Sequence, residues 1–171
     1  MPRIALDLNK ESDRRKVKGQ WRLGRGLSPG EANEGIVAQM LSAPARLADY
    51  DDSKWELCDN IRQSISKGLT FAWYRIQVEV PDKIDGVALT DYRVFFETNV
   101  DNYGEIWING KIDRGTGVIV GINASQRVEV QNKAVPGSKH VIACLVANGP
   151  LAEPRGGIFM RYATLAFESR D

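Results

Sequence analysis

Residues 70–110 constrain this chain more than any other stretch, because they hold three runs in which apolar residues recur at every second position. In the first, Tyr74, Ile76, Val78 and Val80 alternate with Trp73, Arg75, Gln77 and Glu79. In the second, Val94, Phe96 and Thr98 alternate with Phe95, Glu97 and Asn99; in the third, Ile106 and Ile108 alternate with Glu105, Trp107 and Asn109. Strand side chains alternate between faces, so each run offers an apolar face to a core and a mixed face of Trp, Arg, Glu and Asn. Such a mixed face is either solvated surface or a ligand platform.

Turn chemistry divides the rest into short pieces. Asn109-Gly110 between Ile108 and Ile112 is a strong hairpin signal. Pro136-Gly137 marks a second turn, and residues 140–147 are apolar on both faces, as in a central buried strand. Residues 127–130 and 159–167 read as further strands, and 113–125, rich in Gly and polar residues, as a long loop or irregular edge. Pro81 and residues 74, 76, 78, 96, 106, 108, 141 and 145 complete the picture: Tyr74, Ile76, Val78, Phe96, Ile106, Ile108, Val141 and Leu145 are expected inside.

Before this region the pattern changes. Residues 12–18 suit one or two helical turns, with Ser12 as N-cap and Gly19 as terminator, and 21–23 a short strand. Residues 25–35 carry three glycines and a proline and read as loop, and Pro44 ends any helix begun at Ile36. Residues 1–48 are nonetheless too apolar for a free tail (Ile4, Leu6, Leu8, Trp21, Leu23, Met40, Leu41). The expectation is one domain: an N-terminal extension of short helix and loop, 1–48, packed on an all-β sandwich, 49–171.

Composition narrows the function classes. With 23 Lys+Arg against 22 Asp+Glu, the net charge of +1 gives no field that would draw in nucleic acid or an anionic membrane. No run approaches the ~20 apolar residues of a spanning helix, and the N-terminus lacks the apolar stretch of a secretory signal, so a cytoplasmic location is expected. Cys58 and Cys144 belong to no CxxC pair and read as reduced thiols, and a lone His140 rules out a multi-histidine zinc site. His140 begins an apolar strand, which suits a strand-end histidine better than a general base. No nucleophile elbow, phosphate loop or dinucleotide fingerprint is present.

The mixed face supplies the candidate site. Trp73, Arg75, Glu97, Asn99, Glu105 and Trp107 combine stacking surface, a cation and hydrogen-bonding groups, the mixture a sugar requires, with Arg155 at the rim. The competing reading buries both tryptophans under residues 1–48 and pairs Arg75 with Glu97 across neighbouring strands. Residues 99–105, dense in side-chain oxygens, read as a turn in which Asp101 is a weak Ca²⁺ candidate; no other cofactor is expected.

Asp51-Asp52-Ser53 with Trp55, then Phe71, Trp73-Tyr74-Arg75 and Pro81, then Ile106-Trp107-Ile108-Asn109-Gly110, resemble the N-terminal sugar-binding domain of family 2 glycoside hydrolases. The resemblance covers residues 49–148, and 159–167 would be its final strand. It implies a galactose-binding-like jelly-roll β-sandwich. In that family the catalytic carboxylates sit on a separate barrel domain, for which 171 residues leave no room. The implied function is a non-catalytic carbohydrate-binding or ancillary β-sandwich beside sugar-processing enzymes, its partner a small carbohydrate or sugar acid. Whether the chain is an enzyme stays open: one alternative is a small enzyme on a sugar acid or lactone, with Glu97 or Glu105 as acid/base and Arg75 holding a carboxylate. Another is a structural subunit docked on a protein partner or on a second copy of itself.

Overall fold

The computed structural model describes residues 2–28, 30–149 and 156–170. Ten strands and one short helix occur among them: β1 Arg3–Asp7, α1 Glu11–Lys16, β2 Arg22–Arg25, β3 Glu56–Leu57, β4 Thr70–Glu79, β5 Lys83–Ile84, β6 Val87–Ala88, β7 Tyr92–Ile108, β8 Val118–Gln131, β9 Lys139–Asn148 and β10 Tyr162–Ser169. Single 3₁₀ turns occur at Ile36–Ala38 and Pro44–Arg46. No helix among the described residues is long and apolar enough to cross a membrane.

The main sheet runs β1-β10-β7-β9-β4-β2-β3, entirely antiparallel, and curls on itself into an all-β sandwich. β7 is the hinge of the arrangement. Its first half, Tyr92 to Asn99, pairs with β10, and its last part, Tyr103 to Ile108, pairs with β9. β8 follows its other edge, with register shifts at Val94/Phe95 and Val100/Asn102 that let the long hairpin bend from one layer to the other.

Between the layers lies the main core. Tyr74, Ile76, Val78, Phe96 and Ile106 are buried there with Ile142, Leu165 and Phe167, and Ile108 packs against it partly buried. Trp21 closes one end, its ring centroid 6.3 Å from that of Phe96. Val141 and Leu145 do not join them. Leu145 pairs with Trp73 and Val141 with Gln77, on the opposite face of the sheet. β9 is covered on both faces, so its continuous apolar run holds no period from which to tell one face from the other.

Two further expectations meet a different structure. Residues 99–105 are not a turn but continuous strand within β7, and most of 113–125 is the first half of β8. β8 pairs only with β7, so an edge strand of Gly, Asn and Ser is tolerated where a central one would not be. The Asn109-Gly110 turn forms as expected: both residues have positive φ, 50° and 76°, and Ile108 and Lys111 exchange hydrogen bonds of 2.8 and 3.0 Å. Residues 1–48 supply α1 and loops, and also β1 at one sheet edge and β2 between β4 and β3. α1 stops at Lys16, Lys18 turning to φ 52° and the Gly19 N–H bonding Arg14 O at 2.9 Å.

Candidate functional site

On the outer face of β4, β9 and β7 the register lines up three rows of side chains. Phe71, Ala147 and Tyr103 form one; Trp73, Leu145 and Glu105 the next; Arg75, Ala143 and Trp107 the third. Ala143 and Ala147 on the central strand leave a trough between large residues on its neighbours. Ala43 and Ala45, on the loop between β2 and β3, cover part of it and make a second apolar cluster with Phe71, Trp73 and Leu145. What remains uncovered is a cleft of about 660 Å³. Its floor is Trp73, Leu145 and Ala147; one wall is Met40 to Ala43 with Arg46, and the other holds Tyr103, Glu105, Trp107 and Arg114.

Glu105 is the organising charge. Its carboxylate accepts hydrogen bonds from Tyr103 Oη (2.7 Å), Trp107 Nε1 (2.9 Å) and Arg114 Nη1 (2.8 Å). Burial pushes its pKa up, but the three donors and the Arg114 charge outweigh burial and hold it below the ordinary carboxylate range. The same contact acts on Tyr103, whose hydroxyl is pushed up to about 12 by burial and by the neighbouring carboxylate. The Trp107 indole, fixed by its bond to Glu105, is only half-buried and has the Arg46 and Arg114 guanidinium carbons each 5.5 Å from its ring centroid. Trp73 is 1% exposed, and among the described residues its indole N–H has no acceptor.

Of the residues singled out from the sequence, this cleft brings together Trp73, Glu105 and Trp107. Arg75 shares their face but lies beneath the loop. Its Nε donates to Asp52 at 2.8 Å, Nη1 to the carbonyls of Ala45 and, at 2.9 Å, Leu47, and Nη2 to that of Tyr50 at 3.3 Å. Its ion-pair partner is thus Asp52 and not Glu97. Glu97 and Asn99 lie on the half of β7 that pairs with β10. Glu97 pairs with Arg3 at 2.6 Å and Arg127 at 3.6 Å, and Asn99 donates to Asn123 O and Ser125 Oγ at 2.7 and 2.8 Å. Arg155 lies outside the described residues. Asp101 sits mid-strand, its Oδ1 accepting from Asn102 at 3.1 Å. No group of three or more His, Cys, Asp or Glu side chains among the described residues is placed to hold a metal ion.

Tyr103, Arg46, Met40 and Leu41 were not among the site residues expected from the sequence; Met40 and Leu41 counted there only as apolar residues of 1–48. Tyr103 had a signal: it shares the odd-numbered parity of Glu105 and Trp107, once 99–105 is taken as strand. The loop residues had none, since nothing periodic in 36–48 says which strand they will cover.

No protein-family model matches the sequence, and no curated protein does. Solved structures do match in fold. A β-glucuronidase from Bacteroides uniformis is 18% identical over 97% of this chain, with a TM-score of 0.63. A glycosyl hydrolase family 2 member from Bacteroides cellulosilyticus is 15% identical over 95%, at 0.61. A putative β-galactosidase from Bacteroides fragilis is 21% identical over 98%, at 0.57. The chain spans about a fifth of their length (18%, 20% and 23%). It therefore has the galactose-binding-like jelly-roll fold of a single domain of family 2 glycoside hydrolases.

Proposed function

We propose that the chain is a non-catalytic carbohydrate-binding or ancillary β-sandwich of a sugar-processing system, and that the cleft over Trp73, Glu105 and Trp107 is its ligand site. The observation that carries this reading is a half-buried tryptophan, locked by its indole N–H to a hydrogen-bonded carboxylate, in a cleft of about 660 Å³. Sugar rings stack on such an indole face, and carboxylate and guanidinium take their hydroxyls. The Trp73 N–H in the floor is a buried donor without an acceptor among the described residues, and a ligand oxygen reaching it would satisfy it. Two proteins with a domain of like fold are named a β-glucuronidase and a putative β-galactosidase, which favours a saccharide over other small polar ligands.

The geometry weighs against the enzymatic alternative. Glu105, held deprotonated by three donors, is a poor proton source at neutral pH. Glu97 lies eight residues away on the same strand, about 26 Å of extended chain, where a glycosidase carboxylate pair needs about 5–9.5 Å. Arg75 is already engaged with Asp52 and the loop. Both cysteines are buried free thiols, which fits a reducing, cytoplasmic setting. Docking of the same face on a protein partner is the second reading; Leu41, 88% exposed beside the cleft, favours it.

A thermal-shift and calorimetric panel of mono- and disaccharides tests the proposal. A ligand at a hundred times its Kd should add about 2.7 kcal/mol of stability, and Trp107→Ala should abolish that gain while still melting cooperatively. No response to any saccharide, or undiminished binding in Trp107→Ala, would overturn it. A homodimer dispersed by Leu41→Glu, measured by sedimentation, would favour docking instead.

A further inference from the structure

The cleft carries an excess of positive charge and an excess of apolar surface, and together these narrow its ligand. Among its described lining residues Arg46 and Arg114 are cations and Glu105 is the anion. Arg114 and Glu105 neutralise one another at 2.8 Å. Among the described residues Arg46 has no such partner. It donates through Nη1 alone, to the carbonyls of Ser42 (3.2 Å) and Ala43 (3.1 Å), and among the described residues its Nε and Nη2 groups meet no acceptor. Arg46 is a half-buried residue whose guanidinium carbon lies 5.5 Å from the Trp107 ring centroid, so the ring shields one side of it from water and holds it in place. A fixed, planar, partly desolvated cation with one free side suits a carboxylate and binds it more strongly than a neutral hydroxyl.

The remaining walls are of another kind. Met40, Leu41, Ala43, Leu145 and Ala147 present carbon, not hydrogen-bonding groups. A bare sugar would leave hydroxyls unpaired against them, at a desolvation cost. A volume of about 660 Å³ is in the range of drug-sized ligands and has room beyond one sugar ring.

We infer that the cleft selects an acidic saccharide bearing an apolar substituent, its carboxylate on the free side of Arg46 and its apolar group against the Met40–Leu145 side. This rests on the cleft being a saccharide site and specifies which saccharides it takes.

The test is calorimetry of the full chain with four probes: 4-nitrophenyl β-D-glucuronide, 4-nitrophenyl β-D-glucoside, D-glucuronate and D-glucose. The aryl uronide should bind at least tenfold tighter than the aryl glucoside, which differs only at C6, and at least tenfold tighter than free glucuronate. Added salt should shrink the first difference and not the second. Arg46→Gln should erase the discrimination between the two aryl glycosides, and Arg46→Lys should retain part of it. Equal affinity for the acidic and neutral aryl glycosides would overturn the inference and leave the saccharide reading standing. Equal affinity for the aryl uronide and bare glucuronate would overturn its apolar half. Binding of none of the four at millimolar concentration would overturn both the inference and that reading. The comparisons on the unmodified chain decide the matter even if Arg46→Gln folds poorly.

Discussion

Arg75 holds three loop carbonyls and the Asp52 carboxylate while only 2% exposed, so its guanidinium ties the loop at residues 45–50 to the sheet. Its effect on the cleft is indirect, through the loop that carries Arg46. Arg75→Ala leaves those carbonyls without donors, and a loss of about 3 kcal/mol in urea unfolding is expected. A stability change under 1 kcal/mol with lost ligand binding would make Arg75 a contact residue after all. His140 gives a second test at this scale. Nδ1 faces Asn109 Nδ2 and Nε2 faces Ser138 Oγ, each at 3.1 Å, which suits a neutral ring accepting at Nδ1 and donating at Nε2. Burial holds its pKa below the ordinary 6.5. The unfolded chain then binds the proton first, so stability is full above pH 6.5 and declines as pH falls through the folded pKa. The urea midpoint should drop between pH 7 and about 5, and His140→Gln should flatten that drop; an unchanged slope would assign the acid loss to other groups.

Elements meet tightly where β2 passes under the loop layer. Gly24 lies against the Trp55 indole so closely that a Cβ there would sit 2.7 Å from two of its ring carbons. Trp55 in turn packs on Tyr50, ring centroids 5.4 Å apart, beneath the segment that Arg75 holds. Gly24→Ala should therefore push the indole off the strand and cost about 1–3 kcal/mol. In a Trp55→Ala background the same change should cost almost nothing, and a double-mutant cycle in urea would read the coupling. Additive losses would mean that the strand, not the ring, resists the new methyl.

At the scale of the whole molecule, both ends of the chain contribute strands to the sandwich. β1 pairs with β10 along one edge, β2 pairs with β4 in the other layer, and Leu6, Leu8, Trp21 and Leu23 enter the common core. Removing residues 1–48 takes away both strands, those four side chains and the cover over Phe71 and Trp73. The remaining 49–171 should lose cooperative melting and bind a hydrophobic dye, since two edges and part of the core would face water. A truncated chain that melts at the full-length temperature would show that the sandwich closes without them.

Alternation is a local property of the extended backbone, and what depends on it could be read directly. It identified β4 and the ends of β7 as strands, the Asn109-Gly110 turn, and the shared parity that puts Trp73, Glu105 and Trp107 on outward faces. Parity cannot say which strands become neighbours. β7 passes from β10 to β9 at residues 100–102, so Glu97 and Asn99 belong to one layer and Glu105 and Trp107 to the other, although all four share one face of one strand. The loop that walls the cleft has no period of its own; it is placed by contacts with residues some 25–30 positions away, Arg75 to Ala45, Leu47 and Tyr50. Strand identity was therefore written locally. The candidate cleft is assembled by long-range packing, which decides which mixed faces meet, which are covered, and where Arg46 is left, among the described residues, without an anionic partner.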